Sequence, residues 1–131
     1  MSLSAVRTAL KTNLETISGL TVHKEQPDII PKLPAAIIEL ASANYESTLG
    51  KASVDWVFRV SLLIADRDSQ TAHTTLDGYL ARTGSTSIKA AIESAAVGDF
   101  ARVVRAENIG FGNYRSGVFV MAQFIVEVTD T

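Results

Sequence analysis

Two histidines, His23 and His73, are the only imidazoles in this chain. Zinc needs three or four nitrogen, sulfur or carboxylate ligands brought close together, and neither histidine has a second one or a closely spaced acid pattern beside it. There is no cysteine, so a thiolate cage, a disulfide and a cysteine nucleophile are excluded together. Asp66, Asp68 and Asp77 invite comparison with a calcium loop. They lack its alternate-position ligands and its closing glutamate, and helix capping is the simpler use for Asp66 or Asp68. Gly110-Phe111-Gly112 has the glycines of a phosphate cradle without the third glycine, the following helix or the lysine, and reads as a turn between strands. No serine sits in a Gly-x-Ser-x-Gly elbow. Arg102, Arg105 and Arg115 near Phe111 and Tyr114 are the residue types of a stacking surface for single-stranded nucleic acid. Against that stands a formal charge of -2, from 12 basic and 14 acidic residues, which gives no basic footprint. Catalytic, cofactor and metal residues therefore find no nominee, an enzyme is not expected, and function must be sought in surfaces and assembly.

The element that organises those surfaces is the stretch 53–65. Val54, Trp56, Phe58, Val60, Leu62 and Ile64 occupy every second position, so in a strand they all point to one face, the core. The opposite face reads Asp55, Val57, Arg59, Ser61, Leu63 and Ala65, too polar for a core and too apolar for plain solvent. Trp56 falls among the core positions, with an interface anchor as the sharper alternative.

Before this strand, Leu3, Val6, Leu10, Leu14 and Ile17 recur at gaps of three and four and predict an amphipathic helix, capped by Ser2 or Ser4 and ending near Ser18 with Gly19 as its left-handed stop. A short strand through Leu20 and Val22 follows. Pro27, Pro31 and Pro34 then hold a stiff, extended connection. Ala35 to Ala41 reads as an interior strand pairing with the long one, and the polar segment 42–52 between them as a projecting arm.

After it, the spacing of Ala72, Leu76, Tyr79 and Leu80 predicts a second helix, with Gly78 near its end frayed or unusually close to something. Ser85 or Ser87 caps a short third helix over Ile88, Ala91, Ile92 and Ala95. Strands follow at 101–108, running on toward Phe111, and at 118–128, with a turn at 114–117.

The predicted fold is α+β, a largely antiparallel sheet of four to five strands with helices packed on one face, in a single domain spanning residues 1–131. A chain of this length removes roughly two thirds of its unfolded surface from water. No run approaches the ~20 apolar residues that cross a bilayer, and the N-terminus does not read as a leader, so an unexported protein without a membrane partner is expected. The sheet face opposite the helices, with Arg59, Leu63, Phe119, Met121 and Ile125, needs a cover, and copies of the same chain are the expected one. Tyr45, Glu46 and Lys51 in the arm, with Phe111, Tyr114 and Arg115 around the 109–117 turn, complete the candidate interface residues.

The long strand, Asp68 opening a helix, Leu76-Asp77-Gly78-Tyr79-Leu80, Gly84, Ser87-Ile88-Lys89-Ala90-Ala91-Ile92-Glu93 and the closing Phe124-Ile125-Val126-Glu127-Val128 resemble the tail terminator proteins of long-tailed actinobacterial phages. The opening helix, Leu20-Thr21-Val22 and Pro34-Ala35-Ala36-Ile37-Ile38 agree, so the resemblance spans nearly the whole chain through fold-forming positions rather than a chemical signature. Ala95-Ala96-Val97-Gly98 departs from the more polar turn of that pattern, which bears on the length of the third helix. The resemblance implies a non-enzymatic virion protein of the tail-neck region, assembled in the host cytoplasm. It implies a ring, usually of six copies, that caps the tail tube, stops its growth and offers a docking surface to the head-tail connector. Genomic DNA would pass through without specific binding, which a slightly acidic subunit suits. Another neck protein, such as a connector or head completion protein, and a small-ligand binding domain are the alternatives.

Overall fold

The computed structural model describes residues 2–27, 29–30, 32–45, 54–98, 100–115 and 117–130. Helix α1 spans Leu3–Leu14, and the Ser2 side chain accepts a hydrogen bond from the Ala5 amide at its start. It stops a turn earlier than its apolar spacing suggests. Ile17 is still buried, but in the turn that follows, where Gly19 takes φ +82°.

Strand β1 (Thr21–His23) is short, β2 covers Ala35–Asn44 and β3 covers Val54–Ala65. Helix α2 (Gln70–Leu80) is capped by Ser69 rather than by Asp66 or Asp68, and Asp68 instead pairs with His73 at the surface. Gly78 is indeed approached closely: the Thr86 hydroxyl donates to its carbonyl over 3.2 Å. Helix α3 (Ile88–Ile92) starts from the buried Ser87, whose hydroxyl accepts from the Ala90 amide. Strands β4 (Phe100–Tyr114) and β5 (Gly117–Asp130) close the fold.

The five strands form one sheet in the order β1-β2-β3-β5-β4. The sheet is α+β as expected, but not wholly antiparallel, because β1 pairs parallel to β2 from Thr21 opposite Ala35 to His23 opposite Ile37. A parallel neighbour cannot be reached by a tight turn. The proline-held segment 24–34 supplies the crossover, and this has consequences for the outer face of the sheet. Gly110-Phe111-Gly112 is not a turn. It lies within β4, opposite Met121, Val120 and Phe119, just beyond a register shift at which Asn108 adopts φ 52°.

The helices cover one face. Val6, Leu10 and Leu14 of α1, Leu76 of α2 and Ile88 and Ile92 of α3 bury against Ile38, Phe58, Val60, Leu62, Val120, Phe124, Val126 and Val128 of the sheet. Asn13 staples two helices from within this core, its amide donating to the carbonyls of Ile92 and Ala95 over 2.9 and 3.0 Å. Gly98, at φ +61°, leads the chain from α3 into β4. A Cβ there would lie 2.9 Å from the Thr129 carbonyl oxygen, so only glycine fits.

Candidate assembly interface

Residues directly opposite one another in the ladder share a face, so the register places Ala35, Leu63, Met121 and Gly110 in one row of the outer face. Ile37, Ser61, Gln123 and Glu107 form the next, and Glu39, Arg59, Ile125 and Arg105 the one after. The crossover segment lies over the end of this face nearest the β4–β5 turn. Ile30 and Leu33 pack there against Ile37, Leu63, Tyr114 and Met121, with Phe119 at the margin. Tyr114 ties the arrangement together. Its hydroxyl donates to Glu39 Oε1 over 2.6 Å and accepts from the Gln26 side-chain amide over 3.2 Å, linking β4, β2 and the crossover. Burial, then the bond to Glu39 and its negative charge, hold the Tyr114 hydroxyl well above the ordinary tyrosine range, so it stays neutral.

Farther from the turn the outer face is polar and self-paired. Arg102 bonds Glu127 at 2.9 Å and Arg105 bonds Glu107 at 3.2 Å, while the Asn108 amide donates to Gln123, which donates to Ser61. Arg59 Nε is shielded from solvent and meets no acceptor among the described residues.

This geometry corrects the expectation that the outer face needs another copy to cover it. Leu63, Met121 and Ile125 are buried within a single chain, because the crossover or neighbouring side chains already cover them. Tyr114 and Met121 are therefore packing residues within the chain rather than exposed contacts. Tyr114 ends a strand inside the fold instead of sitting in a polar loop. Phe119 is half-buried beside them and Arg115 is exposed in the turn, with φ 55°. Phe111 is exposed, on the opposite surface of the same hairpin, since it faces the core residue Val120 across the ladder. Tyr45 lies at the far end of the sheet, exposed and edge-on to Trp56 with ring centroids 6.3 Å apart. Trp56 is half-buried against the main core. Glu46 and Lys51, and with them most of the expected projecting arm, lie outside the described residues.

Sequence reading missed Ile29, 78% exposed in the crossover, and Val118, exposed beside Phe111. The signal for Ile29 was there: Ile29-Ile30 is an apolar pair within an otherwise polar, proline-held connection. Ile29, Ile30, Pro27, Ile37, Phe119 and Arg115 contribute to a cleft of about 310 Å³ between crossover and hairpin.

At the other margin, β4 is an edge strand, and edges left bare recruit other strands. Glu93 of the turn after α3 accepts the Val103 amide over 2.9 Å and so occupies one position along that edge. Its burial alone would push the carboxyl up. The bonds from Lys89 and the Val103 amide, with the charges of Lys89 and Arg82, outweigh that and hold it below the usual range. Among the described residues no group of three His, Asp or Glu side chains could hold a metal ion, and no helix is long and apolar enough to cross a membrane. Comparison with known proteins finds no family model that matches the chain and no curated protein that matches it.

Proposed function

We propose that this protein is a structural component of a phage neck: a tail terminator whose copies form a ring, probed first as a hexamer, that caps the tail tube, halts its polymerisation and receives the head-tail connector. The sequence resemblance supplies the family. The observation that carries the assembly reading is a run of exposed apolar side chains along the edge strand β4 and its hairpin with β5. Phe100, Val104, Ile109 and Phe111 of β4, Val118 of β5 and Ile29 of the crossover are all exposed, whereas Phe58, Val60 and Leu62 beneath the helices are fully buried. Exposed apolar patches of this kind mark contact surfaces. A subunit with net charge -2 also suits a channel through which DNA slides without adhering.

The test has two arms. Light scattering with negative-stain imaging of the purified protein, alone and with tail tube protein, should give an annular particle of several copies. A monomer under both conditions sinks the reading. Deleting the gene from the phage should then give tails of uncontrolled length that fail to join heads, whereas tails of normal length assign the protein to another neck role. One observation favours a different class: the cleft of about 310 Å³ beneath the crossover has the size of a ligand site. A monomer that binds a small apolar molecule there would establish a binding module instead.

A further inference from the structure

We infer that Glu93 guards the free edge of the sheet: its carboxylate stands where the carbonyl of an added strand would bond, and so keeps β4 from pairing with a further strand. The inference concerns a single chain and does not rest on the ring reading. It leaves side-chain contacts along β4 open and closes only strand addition. The sheet has two edges, and they differ in hazard. β1 is confined to Thr21–His23, too short to template much pairing, whereas β4 runs from Phe100 to Tyr114 along the other margin. In an antiparallel ladder, alternate residues turn their amide and carbonyl away from the partner strand. Val103 is one of these. It stands opposite Val126, yet its amide donates to Glu93 Oε2 over 2.9 Å. Ala101, two residues earlier in the same unbroken register, turns outward in the same way. Room for a strand exists beside them. An open groove of about 730 Å³ separates the turn after α3 from β4, lined by Lys89, Glu93, Phe100, Ala101, Val103 and Val104. The edge is therefore blocked by a bond rather than by bulk.

The guard is held in place from two sides. Lys89 Nζ, one helical turn earlier, donates to the same Glu93 oxygen over 2.6 Å. The main chain around it is fixed by Asn13, whose amide bonds the carbonyls of Ile92 and Ala95 on either side of Glu93. A bond from an amide to a carboxylate is stronger than one to a neutral carbonyl. An incoming strand would have to displace the better acceptor and break the Lys89 pair with it. Beyond Val103 the edge protects itself by shape. The register passes over Val104, and again over Asn108 and Ile109, and such bulges twist an edge out of line for pairing. The exposure of Val104 and Ile109 follows from those skipped positions. Glu93 thus serves the regular stretch Phe100–Val103, ahead of the first bulge.

Glu93→Ala, checked for native circular dichroism, opens the edge. At low protein concentration, hydrogen exchange of the Val103 amide should speed by about tenfold or more. As the concentration rises, the variant should associate beyond whatever the wild type forms, and the Val103 and Ala101 amides should slow again as an added strand supplies acceptors. Glu93→Gln, whose side-chain oxygen can still accept from Val103, should associate no further than wild type. Adding Val104→Lys to Glu93→Ala places a charge at an exposed edge position and should suppress the extra association. Lys89→Ala loosens the carboxylate without removing it. It should move exchange and association the same way by less, and it carries the test should Glu93→Ala not fold. Val103 exchange at the wild-type rate in Glu93→Ala overturns the inference, and so does faster exchange with no added association.

Discussion

On the helix side of the sheet, Phe58, Val60, Leu62, Phe124 and Val126 are sealed by helices. On the outer side one proline-held segment covers the rows nearest the β4–β5 turn. A helix brings a broad stripe of side chains over several strands, so every inward position beneath it can be aliphatic. A single extended segment covers only a strip. Beyond it the face carries polar pairs, Arg102 with Glu127 and Arg105 with Glu107 at the surface and Gln123 bonded to the buried Ser61, while Ile125 stays buried. The mixed composition of that face is therefore the record of a partial lid within the chain.

The sharpest way to break this comparison is to empty each side in turn. Phe58→Ala, in the sealed face, should cost about 3–5 kcal/mol in urea unfolding, and Leu33→Ala, at the half-buried lid, clearly less; equal losses would make the lid part of the main core. Tyr114→Phe removes the hydroxyl that joins Glu39 and Gln26 and should cost about 1–2 kcal/mol. It should also speed hydrogen exchange at the Thr21 amide, which bonds the Pro34 carbonyl at the base of the crossover, without changing exchange in β3.

The same hydroxyl gives the comparison a pH signature. Its folded pKa is raised above the unfolded value near 10. The folded state keeps a proton that the unfolded chain gives up, so this stability is present below about pH 10 and declines as the pH rises further. Tyr114→Phe should flatten that alkaline decline, and a parallel decline in both proteins would assign it elsewhere. The smallest effect is expected at Arg102→Ala in the solvated rows, about 0–1 kcal/mol and weaker at high salt, because its pair with Glu127 is largely exposed.

Much of the fold is legible in local spacing. The alternation of 54–64, the three-and-four spacing of α1 and a serine cap for α3, at Ser85 or Ser87, each follow from backbone geometry that a single segment satisfies by itself. The ends of elements were less legible. Ile17 keeps the helical spacing of α1 yet sits past its end, because a buried side chain can be supplied equally well by the following turn. β4 runs through Gly110-Phe111-Gly112 because Met121, Val120 and Phe119 of β5 pair with these three residues in turn, which outweighs the turn preference of two glycines. Of the candidate contact residues, Phe111 and Arg115 remained exposed, whereas Tyr114 and Met121 became interior.

The sequence by itself determined which residues alternate, which helices form and that no metal cage of cysteine could exist, since those depend on neighbours a few positions away. Only the tertiary structure decided that β1 runs parallel to β2, that the crossover this demands closes part of the outer face, and that Phe111 and the cleft stand on opposite sides of one hairpin. Those facts depend on which distant strands meet and in what register, and a one-residue slip in register would exchange the two faces.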